Sequence, residues 1–224
     1  MRAIVLSAGQ GKRLLPLTAT EPKCLLPVDG DLTVLDLQLD ALARCGFELA
    51  TVVVGFGAEH VERFIGEREF GGMRVETLFN PFFSVSDNLA TCWLARAAMN
   101  EEFLLLNGDT LFEQAVLERV LAARAAPITV TVDHKSQYDD DDMKVALDAQ
   151  GQLLAIGKTL PGPSVGGESI GLLAFRSAGA KVFVDGLERA MRAPAALRRW
   201  YLSVVNGLAE QTPVGTCSIR GLWW

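Results

Sequence analysis

The chain lacks paired cysteines, long apolar runs and any excess of positive charge, and each absence removes a class of protein. Cys24, Cys45, Cys92 and Cys217 lie far apart, with no C-x-x-C pair to suggest a zinc site or a disulfide framework. Four free thiols fit a reducing compartment. No apolar run is long enough to span a bilayer, and the apolar start from Ala3 to Ala8 is too short for a secretory leader. The expected location is cytoplasmic, without membrane insertion. The formal net charge of −6 gives no long-range attraction for a nucleic acid polymer or an anionic membrane. Repeats and linker-like segments are missing too, so residues 1–224 are expected to form one domain. What is present, 50% hydrophobic and 21% charged residues, is ordinary for a folded globular chain.

The apolar pattern predicts an α/β fold. Ala3 to Leu6, Leu49 to Val54 and Phe103 to Leu106 read as buried strands, and Val75 to Phe79 as a further strand. Helical spacing over Val34 to Cys45, Ala58 to Ile65 and Leu89 to Met99 separates them. This alternation implies βαβ units and a mainly parallel sheet. After Pro127 the pattern changes to short strands, Ile128 to Val132, Met143 to Leu147, Leu153 to Ile156 and Ile170 to Phe175, with a hairpin turn at Asp148 to Gly151. Helices over about Lys181 to Met191 and Leu197 to Leu208, then a strand from Val214 to Ile219, complete the chain. The second half reads as an extension of the first.

Leu6-Ser7-Ala8-Gly9-Gln10-Gly11-Lys12-Arg13 joins a buried strand to a glycine-rich loop. Glycines let the backbone approach a ligand closely, and successive amides can then surround phosphate oxygens. Lys12 and Arg13 add positive charge, and arginine can grip phosphate bidentately. Two familiar loops do not fit. The dinucleotide pattern needs a third glycine where Leu14 stands. The P-loop needs four residues between its glycines and a Ser or Thr after the lysine, but here one residue intervenes and Arg13 follows Lys12. Alone, the loop reads equally well as a tight turn. Ten residues on, Glu21-Pro22-Lys23-Cys24-Leu25-Leu26-Pro27-Val28 sets Lys23 between two prolines, where regular helix cannot form. A lysine held on a rigid loop suits stabilisation of transition-state charge. Asn107-Gly108-Asp109 ends another buried strand, where open α/β sheets bind ligands, and magnesium takes one or two carboxylates plus phosphate oxygens. Asp109 is therefore the candidate metal ligand.

The pairing of L-S-A-G-x-G-x-R with E-P-K-x-L-x-P-V resembles the signature of the sugar nucleotidylyltransferase superfamily. The resemblance implies a three-layer α/β/α fold with a mixed, mainly parallel central sheet. It also implies a nucleotide-binding half over about residues 1–112 and an acceptor-binding half over about 113–224. In the middle of the chain, Asn80-Pro81-Phe82-Phe83 with Ser86-Asp87-Asn88-Leu89-Ala90-Thr91 resembles the phosphocholine and inositol-phosphate cytidylyltransferase branch. So do Asp142-Met143-Lys144-Val145 and Ile156-Gly157-Lys158-Thr159-Leu160.

The implied activity is transfer of a nucleoside monophosphate, CMP from CTP, to a small phosphorylated acceptor such as phosphocholine, with release of pyrophosphate. Arg13, Lys23 and Asp109 would be catalytic, with Mg²⁺ on Asp109. Leu6, Ala8, Gly9, Gln10, Gly11, Lys12, Arg13, Asn88 and Thr91 would bind nucleotide. Lys144, Lys158, Glu168, Trp200 and Tyr201 would bind acceptor. Trp200 and Tyr201 suggest aromatic faces for a quaternary ammonium, while Glu168 or an aspartate would suit a primary amine such as aminoethylphosphonate. Inositol phosphate, hexose 1-phosphate and a non-catalytic nucleotide-binding module remain open alternatives. Relatives carry a second metal carboxylate after the last strand, often in E-x-D, about where Gly221-Leu222-Trp223-Trp224 stands. The resemblance therefore implies a metal site short of one ligand. The acidic run Asp139 to Asp142 is the obvious substitute, though adjacent acids more often form a solvated loop.

Overall fold

In a computed structural model, which describes residues 1–162, 164–176 and 178–224, the apolar runs become strands of one twisted sheet. The strands on its main path are β1 (Arg2–Ser7), β4 (Leu49–Val54), β5 (Arg74–Phe79), β6 (Phe103–Asn107), β7 (Ile128–Asp133), β10 (Gly167–Phe175) and β11 (Val214–Ser218). Their order is β11-β7-β10-β6-β1-β4-β5. All run in one direction except β10, which opposes its neighbours β6 and β7. The strands β8 (Lys144–Leu147) and β9 (Leu153–Gly157) extend the sheet beside β10. A small separate hairpin joins β2 (Pro27–Asp29) to β3 (Leu32–Thr33). The central sheet is thus mixed and mainly parallel.

Side chains alternate across the strands, and each face finds its own helices. Ile4 and Leu6 face α3 (Asn88–Leu94), α5 (Ala178–Met191) and α6 (Leu202–Ala209). Ala3 and Val5 face α1 (Val34–Arg44), α2 (Ala58–Gly66) and α4 (Gln114–Ala122). The two halves of the chain share this sheet through β6 and β10. Phe103 and Phe175 are register partners there, with rings stacked at 4.6 Å, and Phe183 of α5 closes on Phe175 at 4.3 Å. Each of these buried rings contributes about 1.5–3 kcal/mol by burial. Among the described residues, no helix is long and apolar enough to cross a membrane.

Three local features depart from expectation. Helix α4 occupies a stretch assigned no element, although Val116, Leu117 and Val120 carry helical spacing and are buried. The helix expected over Leu89 to Met99 is α up to Leu94 and then a 3₁₀ turn over Ala95–Ala98. The helix expected from Leu197 begins only at Leu202. The carbonyl of Leu197 accepts from Asp87 N at 2.7 Å and that of Arg199 accepts from Leu89 N at 3.1 Å. Those carbonyls satisfy the free amides at the start of α3 instead of building their own helix.

Where β1 and β6 end side by side, Gly108 N donates to Leu6 O at 2.9 Å. A Cβ on Gly108 would stand 1.8 Å from Ser7 Oγ and 2.9 Å from Leu6 O. Gly108→Ala is therefore expected to destabilise the fold by about 1–3 kcal/mol, the usual cost of overpacking. Gly207, inside α6, has nothing within 4 Å of such a Cβ, so Gly207→Ala is expected to stabilise by about 0.5–1 kcal/mol. Urea midpoints at unchanged slope measure both.

Candidate functional site

The candidate site lies where the parallel strands β1 and β6 end. After Ser7 the chain turns through the glycine loop, and Gly11 takes a left-handed conformation with φ 68°. A Cβ there would meet Lys23 Cβ and Cδ at 3.3 Å, so the aliphatic stem of Lys23 lies directly against the loop. Lys23 opens a 3₁₀ turn, Lys23–Leu25, whose preceding residue is Pro22. Its ammonium reaches across to Asp109, with Nζ 2.6 Å from Oδ2. The two sequence segments and the aspartate after β6 are thus in contact. A cavity of about 540 Å³ is lined by Leu6, Gly9, Gly11, Arg13, Lys23, Asn88 and Asp109.

The turn bearing Asp109 is fixed from behind. Gln38 of α1 is buried, and its Nε2 donates to Asn107 O at 2.9 Å and Thr110 O at 2.8 Å. Thr110 Oγ1 donates to Ile170 O at 2.9 Å, which ties the turn to β10. Helix α1 itself starts with a capping box between Thr33 and Asp36, worth about 1 kcal/mol. Sequence reasoning missed Gln38. Its signal is a polar residue among the apolar positions Leu35, Leu39 and Leu42, where an unpartnered amide would be costly.

A second cavity of about 210 Å³ adjoins the first through Leu6, Gly9 and Asn88, and adds Ala8, Thr91 and Trp200. Gln10 and Lys12 fall elsewhere, in a cavity of about 500 Å³ shared with Ser86, Asp87 and Arg198. A further cavity of about 430 Å³ lies on the other side of Asp109. Its lining includes Asp141, Asp142, Glu168, Trp223 and Trp224, so it holds both acidic and aromatic groups.

Two of the expected acceptor residues fall elsewhere. Tyr201 cannot face a ligand. It is fully buried, its amide donates to Asn88 Oδ1 at 3.0 Å, and its hydroxyl lies 3.4 Å from Asn107 Oδ1. It is an anchor between α3 and β6, and burial pushes its phenol far above the usual range. Trp200 is 38% exposed but lines the cavity of Ala8, Asn88 and Thr91, the residues expected to bind nucleotide. Lys158 Nζ lies 5.0 Å from the Trp200 ring centroid. Lys144 is engaged by backbone, its Nζ donating to Asp139 O at 2.5 Å and Lys158 O at 3.1 Å.

The acidic run is divided among three cations. Asp141 binds Arg13 Nη1 at 2.6 Å and Lys158 Nζ at 2.5 Å. Asp142 and the buried Glu168 share Lys135, at 3.2 and 2.6 Å. Burial holds the Glu168 carboxyl above the usual carboxylate range, and Lys135 offsets that only in part. Among the described residues no three His, Cys, Asp or Glu side chains cluster as a ready-made metal cage. Asp109 nevertheless suits magnesium, which takes one or two carboxylates and completes its shell with water and phosphate oxygens. Sequence reasoning also missed Trp223 and Trp224 as lining residues. Trp224 Nε1 donates to Asp133 Oδ2 at 2.7 Å, which sets its ring beside the acidic cavity.

Comparison with known proteins bears on the fold and the family. The solved structure of the inositol-1-phosphate CTP transferase from T. maritima superposes with a TM-score of 0.82 at 20% identity, over 100% of this chain and 87% of that one. The CTP:phosphocholine cytidylyltransferase LicC from Streptococcus pneumoniae does so with a TM-score of 0.75 at 18% identity, over 98% of this chain and 90% of that one. At such identities the likeness is one of fold. The CMP-5'-(3-aminopropyl)phosphonate synthase of Streptomyces rubellomurinus is 40% identical over 126 residues, which is 56% of this chain. The match spans only 20% of that relative's length. Residues 2–142, more than half of the chain, match the nucleotidyl transferase family, and the chain belongs to that family.

Proposed function

We propose that the chain transfers a nucleotidyl group, CMP from CTP, to a small acceptor carrying a phosphate or phosphonate, with release of pyrophosphate. The observation that carries this reading is the convergence of the glycine loop, Lys23 and Asp109 on one cavity of about 540 Å³. An acceptor phosphate is already anionic at neutral pH, so no general base is needed. Its oxygen attacks the α-phosphorus and pyrophosphate leaves on the opposite side. Catalysis then consists of positioning and charge neutralisation.

In this reading residues 1–112 bind the nucleotide and residues 113–224 bind most of the acceptor. The loop amides and Arg13 hold the β- and γ-phosphates. Lys23, its stem fixed against Gly11, neutralises charge near the α-phosphate and the incoming oxygen. Asp109 would hold magnesium, which when bound would supply further neutralisation of phosphate charge. Trp200 moves to the nucleotide side, beside Asn88 and Thr91.

The cavity beyond Asp109 supports a choice among acceptors. Asp142 and Glu168 share a single cation, Lys135, so two carboxylates there face one positive charge, and Trp223 and Trp224 offer aromatic faces. Such a lining suits an ammonium group, primary or quaternary. Phosphocholine and aminoalkylphosphonates carry one, whereas hexose 1-phosphates and inositol phosphate do not.

Lys23→Ala is expected to lower turnover at least tenfold, with an unchanged circular dichroism spectrum. Near-normal turnover in a folded variant would sink the assignment. Asp109→Ala is expected to abolish stimulation by magnesium. With CTP and magnesium, pyrophosphate release is expected to be at least tenfold faster with phosphocholine or aminoethylphosphonate than with glucose 1-phosphate. The reverse preference would refute an ammonium-bearing acceptor. Absence of pyrophosphate with every acceptor and all four triphosphates would leave a nucleotide-binding module without catalysis.

A further inference from the structure

Asp141 lies between β7 and β8 and takes no part in the chemistry proposed above. One of its carboxylate oxygens binds Arg13 Nη1 at 2.6 Å and the other binds Lys158 Nζ at 2.5 Å. These cations come from the glycine loop and from the segment after β9. Arg13 lines the central cavity, and Asp141 lines the acidic one beyond Asp109. The carboxylate therefore spans the region between the two cavities. We propose that Asp141 is an internal stand-in for a substrate anion, which holds Arg13 and Lys158 converged in the empty site and is displaced when a phosphate group enters.

The geometry resembles phosphate recognition, with one cation on each of two oxygens of a shared anion. The contact is also easy to replace. The side chains of Arg13 and Asp141 are 80% and 62% exposed, and exposed ion pairs are weak. A polyphosphate carries several charges where Asp141 carries one, so it wins the exchange. Asp141 remains charged at neutral pH, because the Lys158 hydrogen bond, with help from Arg13, holds its carboxyl below the usual range. Lys158 has a second neighbour in the Trp200 ring, at 5.0 Å, which keeps it in place once Asp141 leaves. The exchange keeps Arg13 and Lys158 paired with an anion in both states, and it releases the Asp141 carboxylate, already 62% exposed, to water.

The inference rests on the nucleotidyl-transfer reading, and one titration separates the two. Inorganic triphosphate, which has no base and undergoes no turnover here, is titrated calorimetrically into the wild type, Asp141→Ala and Asp140→Ala. Asp140 lies in the same loop but makes no ion pair among the described residues, so it controls for general charge. Asp141→Ala is expected to bind triphosphate about fivefold more tightly than wild type, and Asp140→Ala less than twofold more tightly. Unchanged or weaker binding by Asp141→Ala would overturn the stand-in role and make Asp141 a positioning residue. Equal tightening by both variants would overturn it in favour of simple net charge. If neither the wild type nor the variants bind triphosphate, the nucleotide reading fails and the inference fails with it.

Discussion

The site depends on how closely β1 and β6 approach at their ends. The Gly108 amide is bonded to the Leu6 carbonyl, and the space a side chain would need is already filled by Ser7. Because the strands end at the same level, the glycine loop after Ser7 and the turn bearing Asp109 leave the sheet side by side. Lys23 can then touch both, its stem on Gly11 and its ammonium on Asp109. A larger residue at position 108 would push the turn away from the loop and lengthen the Lys23–Asp109 contact. The sheet sets the distance between groups that lie far apart in sequence, and Gln38 of α1 sets the orientation of the turn.

The electrostatics follow from a cationic loop placed in an acidic protein. Arg13, Lys23, Lys135 and Lys158 each pair with a carboxylate in the described structure. The pairs of Arg13, Lys23 and Lys158 sit in solvent-accessible clefts, so each contributes little to folding. Their consequence is positional. Long flexible side chains are held near the orientations in which phosphates would meet them, which lowers the ordering cost of binding. The partly exposed pair of Lys23 and Asp109 differs from the pair of Lys135 with the buried Glu168. Stripping Lys135 from Glu168 would leave a buried carboxylate unpaired, whereas ligands can separate Lys23 from Asp109 at small cost.

Much of the framework was legible because its signals are local. Buried parallel strands need continuous apolar runs, and β1, β4 and β6 show them, whereas β5, at the sheet edge, is only partly buried. The loop and the Lys23 segment were legible because tight turns and close backbone approach demand glycine and proline at particular places. What was not legible depends on partners distant in sequence. Tyr201 and Trp200 are adjacent and equally aromatic, yet one is fully buried and the other lines a cavity. The difference arises because the carbonyls of Leu197 and Arg199 are bound to the start of α3, which delays the helix and turns the two rings to different sides. No periodicity along residues 197–208 encodes a bond to residues 87 and 89. Asp139 to Asp142 likewise reads as one acidic run, but Asp141 and Asp142 serve different cations on different segments.

This non-local strap also bears on which ligand each half of the site can hold. The segment from Leu197 to Tyr201 is bonded both to the backbone and to the Asn88 side chain at the start of α3. Trp200 is therefore fixed relative to Asn88 and Thr91, and its ring belongs with whatever occupies their cavity. In the proposed reading an acceptor ammonium would find its aromatic faces elsewhere, at Trp223 and Trp224, which line a cavity with Asp142 and Glu168. Aromatic and acidic groups together in one cavity favour a cation over a neutral polyol, because indole faces and carboxylates both attract positive charge. Asp109 stands between this cavity and the glycine loop and lines both the central and the acidic cavity. A phosphate or phosphonate at Asp109 would thus lie within reach of Lys23, while an ammonium a few bonds away would lie among the acids. In the proposed reading the length of the acceptor would be set by that span, from the turn after β6 to the first residues of β10.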